Sequence, residues 1–225
     1  MTPLKWRNLT VLLALAAVLL LPSAVNADTV PLSGYLTSNP SDNYGIIASD
    51  GWSIVPWFKV AWNITDPDPN DGLLHYQYII TNGSDGDLSR DLSHFILQVS
   101  TGTTAADFLN ALPAYDSGDP KYYSSADPSN PNMPNPIYGL KFNLNDAATA
   151  IIEFDSTRLP VLGSFYAKDG VFNPGGIEVT AWNTGLEGGT AFIVVPDTKI
   201  PVPPTALLLG SGLLGLGLVG IRKRK

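Results

Sequence analysis

The stretch KVAWNITDPDPNDGLLHYQYII, residues 59–80, decides the fold. Val60, Trp62 and Ile64 alternate with Lys59, Ala61 and Asn63. After the turn DPDPNDG, Leu74, Tyr76, Tyr78 and Ile80 alternate with His75, Gln77 and Ile79. A period of two sends successive side chains to opposite faces of a pleated strand. Two such runs about a Pro/Asp/Gly turn predict an antiparallel hairpin with one apolar face.

Working outward, short apolar runs recur at 95–99, 138–142, 150–154, 161–166, 177–182 and 190–195. Turn residues separate them: NGSDGD at 82–87, KDG at 168–170, NPGG at 173–176 and GLEGG at 185–189. The pattern predicts an all-β domain, an antiparallel β-sandwich of jelly-roll-like or Ig-like type. One helix is expected over 105–112, capped by Thr103 or Thr104 with Asp107 near its N-terminus. Residues 113–136 hold six prolines and few aliphatics. The segment is long for a loop within a compact domain, and reads as a solvated surface excursion or as a binding loop ordered by a ligand. No repeat of fixed period is visible.

The ends carry addresses. Lys5 and Arg7 precede an apolar run over 9–21 that Pro22 breaks, and Val25, Asn26 and Ala27 follow. This is the order of a secretory leader, expected over 1–27 with signal peptidase cutting between Ala27 and Asp28. At the other end, residues 200–225 read IPVPPTALLLGSGLLGLGLVGIRKRK. Pro201, Pro203 and Pro204 exclude a helix there. The sixteen residues 206–221 are all Leu, Val, Ile, Ala or Gly apart from Ser211, a short span where about 20 residues cross a bilayer. Five glycines each weaken that helix by about 1 kcal/mol against Ala. Arg222, Lys223, Arg224 and Lys225 form a cationic stop that stays cytoplasmic. Taken alone, the apolar run also suits a plain tail anchor, or a dimerising helix using Ser211 and Gly215.

Prolines, a Gly-rich helix and a basic end in that order resemble the PEP-CTERM sorting signal of exosortase substrates in Gram-negative bacteria. Pro201, Val202 and Pro203 fall on the three name-giving positions, Pro204 on the small residue and Thr205 on the threonine. Val202 departs from the family's central Glu. A Gram-positive sortase signal would need an L-P-x-T-G string, which is absent. The segments YQYIITNGS (76–84), DLSHF (91–95), GSFYAKDG (163–170) and AWNTG (181–185) also resemble ectodomains of such proteins. The resemblance implies an exported precursor held in the inner membrane by 206–221, then a cell-surface or extracellular-matrix protein associated with exopolysaccharide or biofilm. Exosortase and signal peptidase are its implied processing partners, and the implied ectodomain over 28–199 is non-catalytic.

The charge of the chain is −7, but six of thirteen Lys and Arg lie in the two terminal segments and all twenty Asp and Glu lie between them. So acidic a domain disfavours nucleic acid and anionic lipid as partners and favours cations. Without cysteine, disulfides, thiol chemistry and Cys-ligated metals are excluded.

Candidate sites follow from residue chemistry. Asp66, Asp68 and Asp71 cluster hard oxygens at the hairpin tip. They suit calcium, although Asp71 and Gln77 occupy the sixth and twelfth places where an EF-hand needs Gly and Glu. The same residues also build polar turns, as do Asp85 and Asp87. His75 and His94 are the only histidines, too few for an ordinary zinc site. Asp91, Ser93 and His94 have triad residue types without the spacing or a G-x-S-x-G elbow. Glu153, Asp155 and Glu178 would make a glycosidase only if two of them faced each other across a cleft. Trp52 and Trp57, flanking Pro56, and Tyr122 and Tyr123 of the Pro-rich segment are the candidate sugar contacts, while Trp62 and Trp182 read as core. The alternative to the structural role is therefore a carbohydrate-binding module or a glycoside-active secreted enzyme.

Overall fold

A computed structural model describes residues 30–170 and 178–196. The leader with Ala27 and Asp28, and the tail with Pro201, Val202, Pro203 and Thr205, lie outside the described residues. Among those described, no helix is long and apolar enough to cross a membrane.

The 59–80 hairpin forms as expected. β3 (Phe58–Thr65) and β4 (Leu74–Asn82) pair antiparallel, with Val60 opposite Ile80, Trp62 opposite Tyr78 and Ile64 opposite Tyr76. These inward residues are buried, while Lys59, Gln77 and His75 stay partly exposed. β1 (Ser33–Thr37), β9 (Ala150–Ser156) and β6 (Phe108–Leu112) complete a five-stranded sheet in the order β1-β3-β4-β9-β6. A six-stranded sheet runs β2 (Ile46–Ala48), β12 (Thr180–Asn183), β11 (Phe165–Asp169), β5 (Leu92–Gln98), β8 (Ile137–Ala147), β7 (Lys121–Tyr123). β10 (Pro160–Gly163) and β13 (Ile193–Pro196) form a two-stranded ribbon. All pairings between these strands are antiparallel.

The inner faces of the two large sheets share one apolar core. Phe58 lies 6.3 Å from Phe165, and Phe142 lies 6.4 Å from Phe154, each pair joining one sheet to the other. Around Phe154 the rings of Tyr76 at 5.3 Å and Phe108 at 5.7 Å close the aromatic cluster. Stacked and edge-to-face geometries of this kind add about 0.5–1.5 kcal/mol beyond the area they bury.

Two expectations fail here for identifiable reasons. The helix over 105–112 is a single 3-10 turn, Ala105–Asp107, followed by β6. Thr104 and Asp107 do form the expected cap, with the Thr104 N–H donating to Asp107 Oδ2 at 2.7 Å. Phe108 then takes its place opposite Ser156 on β9, and Asn110 turns to a φ of +55°, so sheet pairing replaces further helix. The run 161–166 likewise divides at Ser164. Gln98 holds that residue at both ends, its Oε1 accepting from the Ser164 N–H at 2.7 Å and its own N–H donating to the Ser164 carbonyl at 2.9 Å. β10 therefore leaves with β13, while β11 enters the six-stranded sheet.

The Pro-rich segment 113–136 is not a solvated excursion. It contributes β7, and Asp119, Asn130 and Met133 within it are buried. Met133 and Tyr123 join Ile96, Ile137, Tyr166 and Leu186 in a second apolar cluster, with Trp182 packed against it. This cluster sits on the outer face of the six-stranded sheet. Burying a side chain of that size stabilises by roughly 1.5–3 kcal/mol, enough in sum to hold the segment down against its ordering entropy of about 1–2 kcal/mol per residue only where several such anchors act together.

Candidate functional site

The candidate site residues separate once the sheets are formed. Trp52 is fully buried, its ring 4.7 Å from Phe58 and its indole N–H bonded to the Arg90 carbonyl at 3.0 Å. It is core, not a sugar contact. Tyr123 is buried as well, and its hydroxyl donates to Asp119 Oδ1 at 2.5 Å. Burial and that carboxylate push its phenol well up. Tyr122 does face solvent, at 68 % exposure, edge-on to Tyr138. Trp62 is core, as expected, and Trp182 is half-buried.

At the hairpin tip, Asp68 accepts the Asn70 backbone N–H at 3.0 Å and the Asn70 side-chain amide at 2.9 Å. Asp71 accepts the Leu73 N–H at 2.8 Å. The Asn70 bonds, the backbone one foremost, hold the Asp68 carboxyl below the usual range. These are the bonds of a polar turn. Among the described residues, no three His, Cys, Asp or Glu side chains are grouped to hold a metal ion. Asp85 pairs with Lys59 at 2.6 Å.

The candidate acids fall in different places: two share one strand and the third lies beside the other sheet. Glu153 and Asp155 stand on successive outward positions of β9, opposite Gln77 and His75 of β4. Glu178 lies 3.8 Å from Lys168 of the six-stranded sheet. Around Asp155 a small polar row forms: Asn110 donates to Oδ2 at 2.7 Å and His75 Nδ1 meets Oδ1 at 2.9 Å. The Asn110 amide, against burial and with help from His75, holds the Asp155 carboxyl below its usual range. An ionised carboxylate only accepts, so His75 donates from Nδ1 to Asp155. Glu153 accepts from Gln77 at 2.5 Å. This row was hidden from the sequence because His75 and Asp155 meet only through the pairing of β4 with β9.

His94 lies on the other sheet and is buried under the Pro-rich segment. Burial first, then Lys141 and Lys168, push its imidazole down to about 3. Neither histidine meets the other.

Trp57 lines the concave feature of most chemical interest. A cavity of about 250 Å³ opens at the β2 edge, walled by Trp57, Tyr44, Pro40, Ile47, Ser38 and Ser53. Its walls are tied together. Ser38 Oγ donates to the Trp52 carbonyl at 2.6 Å and accepts the Phe58 N–H at 3.0 Å. The Ser38 N–H reaches the Phe58 carbonyl at 2.9 Å, and the Gly45 N–H bonds back to the Thr37 carbonyl at 3.1 Å, which returns the chain so that Tyr44 joins Trp57 in lining the cavity. Tyr44 is 53 % exposed. Its part was not legible beforehand, since nothing local marks 38–44 as a folded-back loop.

Compared with known proteins, the chain matches no family model, no curated protein and no solved structure.

Proposed function

We propose that the chain is an exported, exosortase-sorted protein of the cell surface or extracellular matrix, with a non-catalytic β-sandwich ectodomain associated with exopolysaccharide. The observation that carries this reading is the order of the last 26 residues: Pro201, Val202, Pro203 and Thr205, then the Gly-rich apolar run, then four basic residues. A leader ending at Ala27 supplies the matching export step. The reading places the precursor in the inner membrane of a Gram-negative bacterium and assigns no cofactor.

The strand pairing supports a jelly-roll-like type for the sandwich. β4 and β5 are consecutive strands, as are β8 and β9; β4 pairs with β9 in one sheet and β5 with β8 in the other. An antiparallel ribbon wrapped over both sheets is the device of that architecture. Glu153 lies on β9 of one sheet and Glu178 just before β12 of the other, which supports the non-catalytic reading over a glycosidase built on that pair.

Deleting residues 200–225 from the gene in the native host tests the reading. The truncated chain is expected to leave the surface fraction for the periplasm, with its fold intact by circular dichroism. Retention at the surface without the tail would refute it.

A further inference from the structure

We propose that the Trp57–Tyr44 cavity is a binding site for one ring of a neutral saccharide; this rests on the reading of the chain as an exopolysaccharide-associated surface protein.

The chemistry of the walls carries the inference. Of the four tryptophans among the described residues, three commit their indole N–H within the fold: Trp52 to the Arg90 carbonyl, Trp62 to the Pro31 carbonyl at 3.2 Å, and Trp182 to Glu187 at 3.3 Å. The Trp57 indole N–H and the Tyr44 hydroxyl bond to no described residue. Two amphipathic rings thus line one cavity with their polar ends unengaged. Sugar rings present apolar C–H faces that pack on aromatic faces, and hydroxyls that pair with an N–H or a phenol. Pro40 and Ile47 add apolar wall without competing donors.

Size and charge narrow the class. About 250 Å³ falls below the ~300–1,000 Å³ of sites for drug-sized ligands, which suits one ring of a chain rather than a buried oligosaccharide. The acidic excess of the domain repels uronate-rich or sulfated glycans, so the occupant is neutral. The Ser38 bonds hold its loop to the 52–58 segment and the Gly45–Thr37 bond holds the turn at Tyr44 before any ligand arrives, and a preorganised site loses less affinity to ordering. Ile54 and Val55, 60 % and 74 % exposed between Ser53 and Trp57, extend apolar surface beside the cavity along which further rings of the same chain would run.

The test is native affinity electrophoresis of the full-length chain through gels containing dextran, mannan, β-glucan or, as the anionic probe, alginate. Retardation is expected in at least one neutral gel and none in alginate. Trp57→Ala and Tyr44→Ala are expected to weaken the interaction at least tenfold, and Ile151→Ala, exposed on β9 of the other large sheet, to leave it unchanged. Tyr44 is exposed enough that its variant keeps the fold, which near-ultraviolet circular dichroism checks. Migration unaffected by every neutral glycan, retardation by alginate alone, or an equal loss in Ile151→Ala would overturn the proposal. Cell fractionation of the same variants separates this site from the sorting reading: a Tyr44→Ala chain that reaches the surface but binds nothing keeps both, a surface-sorted wild type that binds nothing sinks only the site, and a binding chain absent from the surface sinks only the sorting.

Discussion

Tyr166 of β11 donates its hydroxyl to the Pro131 carbonyl at 2.6 Å, joining the outer face of the six-stranded sheet to the middle of the Pro-rich segment. The ring itself is fully buried. One residue therefore belongs at once to the regular sheet and to the irregular chain that covers it.

Replacing it tests how firmly the cover is held. Tyr166→Phe keeps the ring and leaves the Pro131 carbonyl without that donor, which is expected to cost about 1–3 kcal/mol. Urea denaturation reads the loss, and hydrogen exchange is expected to rise first within 124–136. An unchanged midpoint would show that the segment is held by apolar contact alone.

His94 beneath the same segment predicts acid sensitivity. Its ordinary value is about 6.5, and burial with Lys141 of β8 and Lys168 of β11 facing it holds it at about 3, against the smaller opposing effects of Asn130 and Asp127. Above pH 6.5 the ring is neutral in both states and contributes no pH dependence. As pH falls from 6.5 towards 3, only the unfolded chain takes the proton, so stability drops, by up to about 1.4 kcal/mol per pH unit. His94→Gln removes this component. Stability profiles of the two proteins are expected to converge as pH falls below 6.5, and profiles that stay parallel would contradict the assignment.

Phe154 stands where the two sheets meet, ringed by Tyr76, Tyr78, Phe108 and Phe142. Phe154→Ala is expected to cost about 3–5 kcal/mol through the cavity it leaves. A loss under 1 kcal/mol in chemical denaturation would mean that the sheets do not share their core there.

The hairpin tip makes a simpler prediction. Asp68 and Asp71 are turned to their own backbone, so the thermal midpoint is expected to be the same in millimolar calcium and in EGTA. A midpoint that rises with calcium, and no longer does so in Asp68→Ala, would restore the tip as a calcium site.

What could be read beforehand was whatever is local. The alternation over 59–80 gave β3 and β4 with their inward faces, because side-chain period is a property of neighbours along the chain. Burial of Trp52 was not local: it depends on Phe58 and on the Arg90 carbonyl, so flanking Pro56 misled the reading towards exposure. The helix over 105–112 had a true cap at Thr104, yet pairing with β9 overrode propensity after one turn. His75 and Asp155, and the cover over Tyr166, likewise required contacts between distant segments. Trp57 lines a cavity, and its companion Tyr44 came from a fold-back that composition does not mark.

Intact mass of the chain, recovered from its native host by cell fraction, tests the address proposed for its two ends. A surface or matrix species beginning at Asp28 and ending near Pro201 to Pro203 is expected. A species retaining residues through Lys225 in the inner membrane would contradict it, and would make the protein a tail-anchored periplasmic domain.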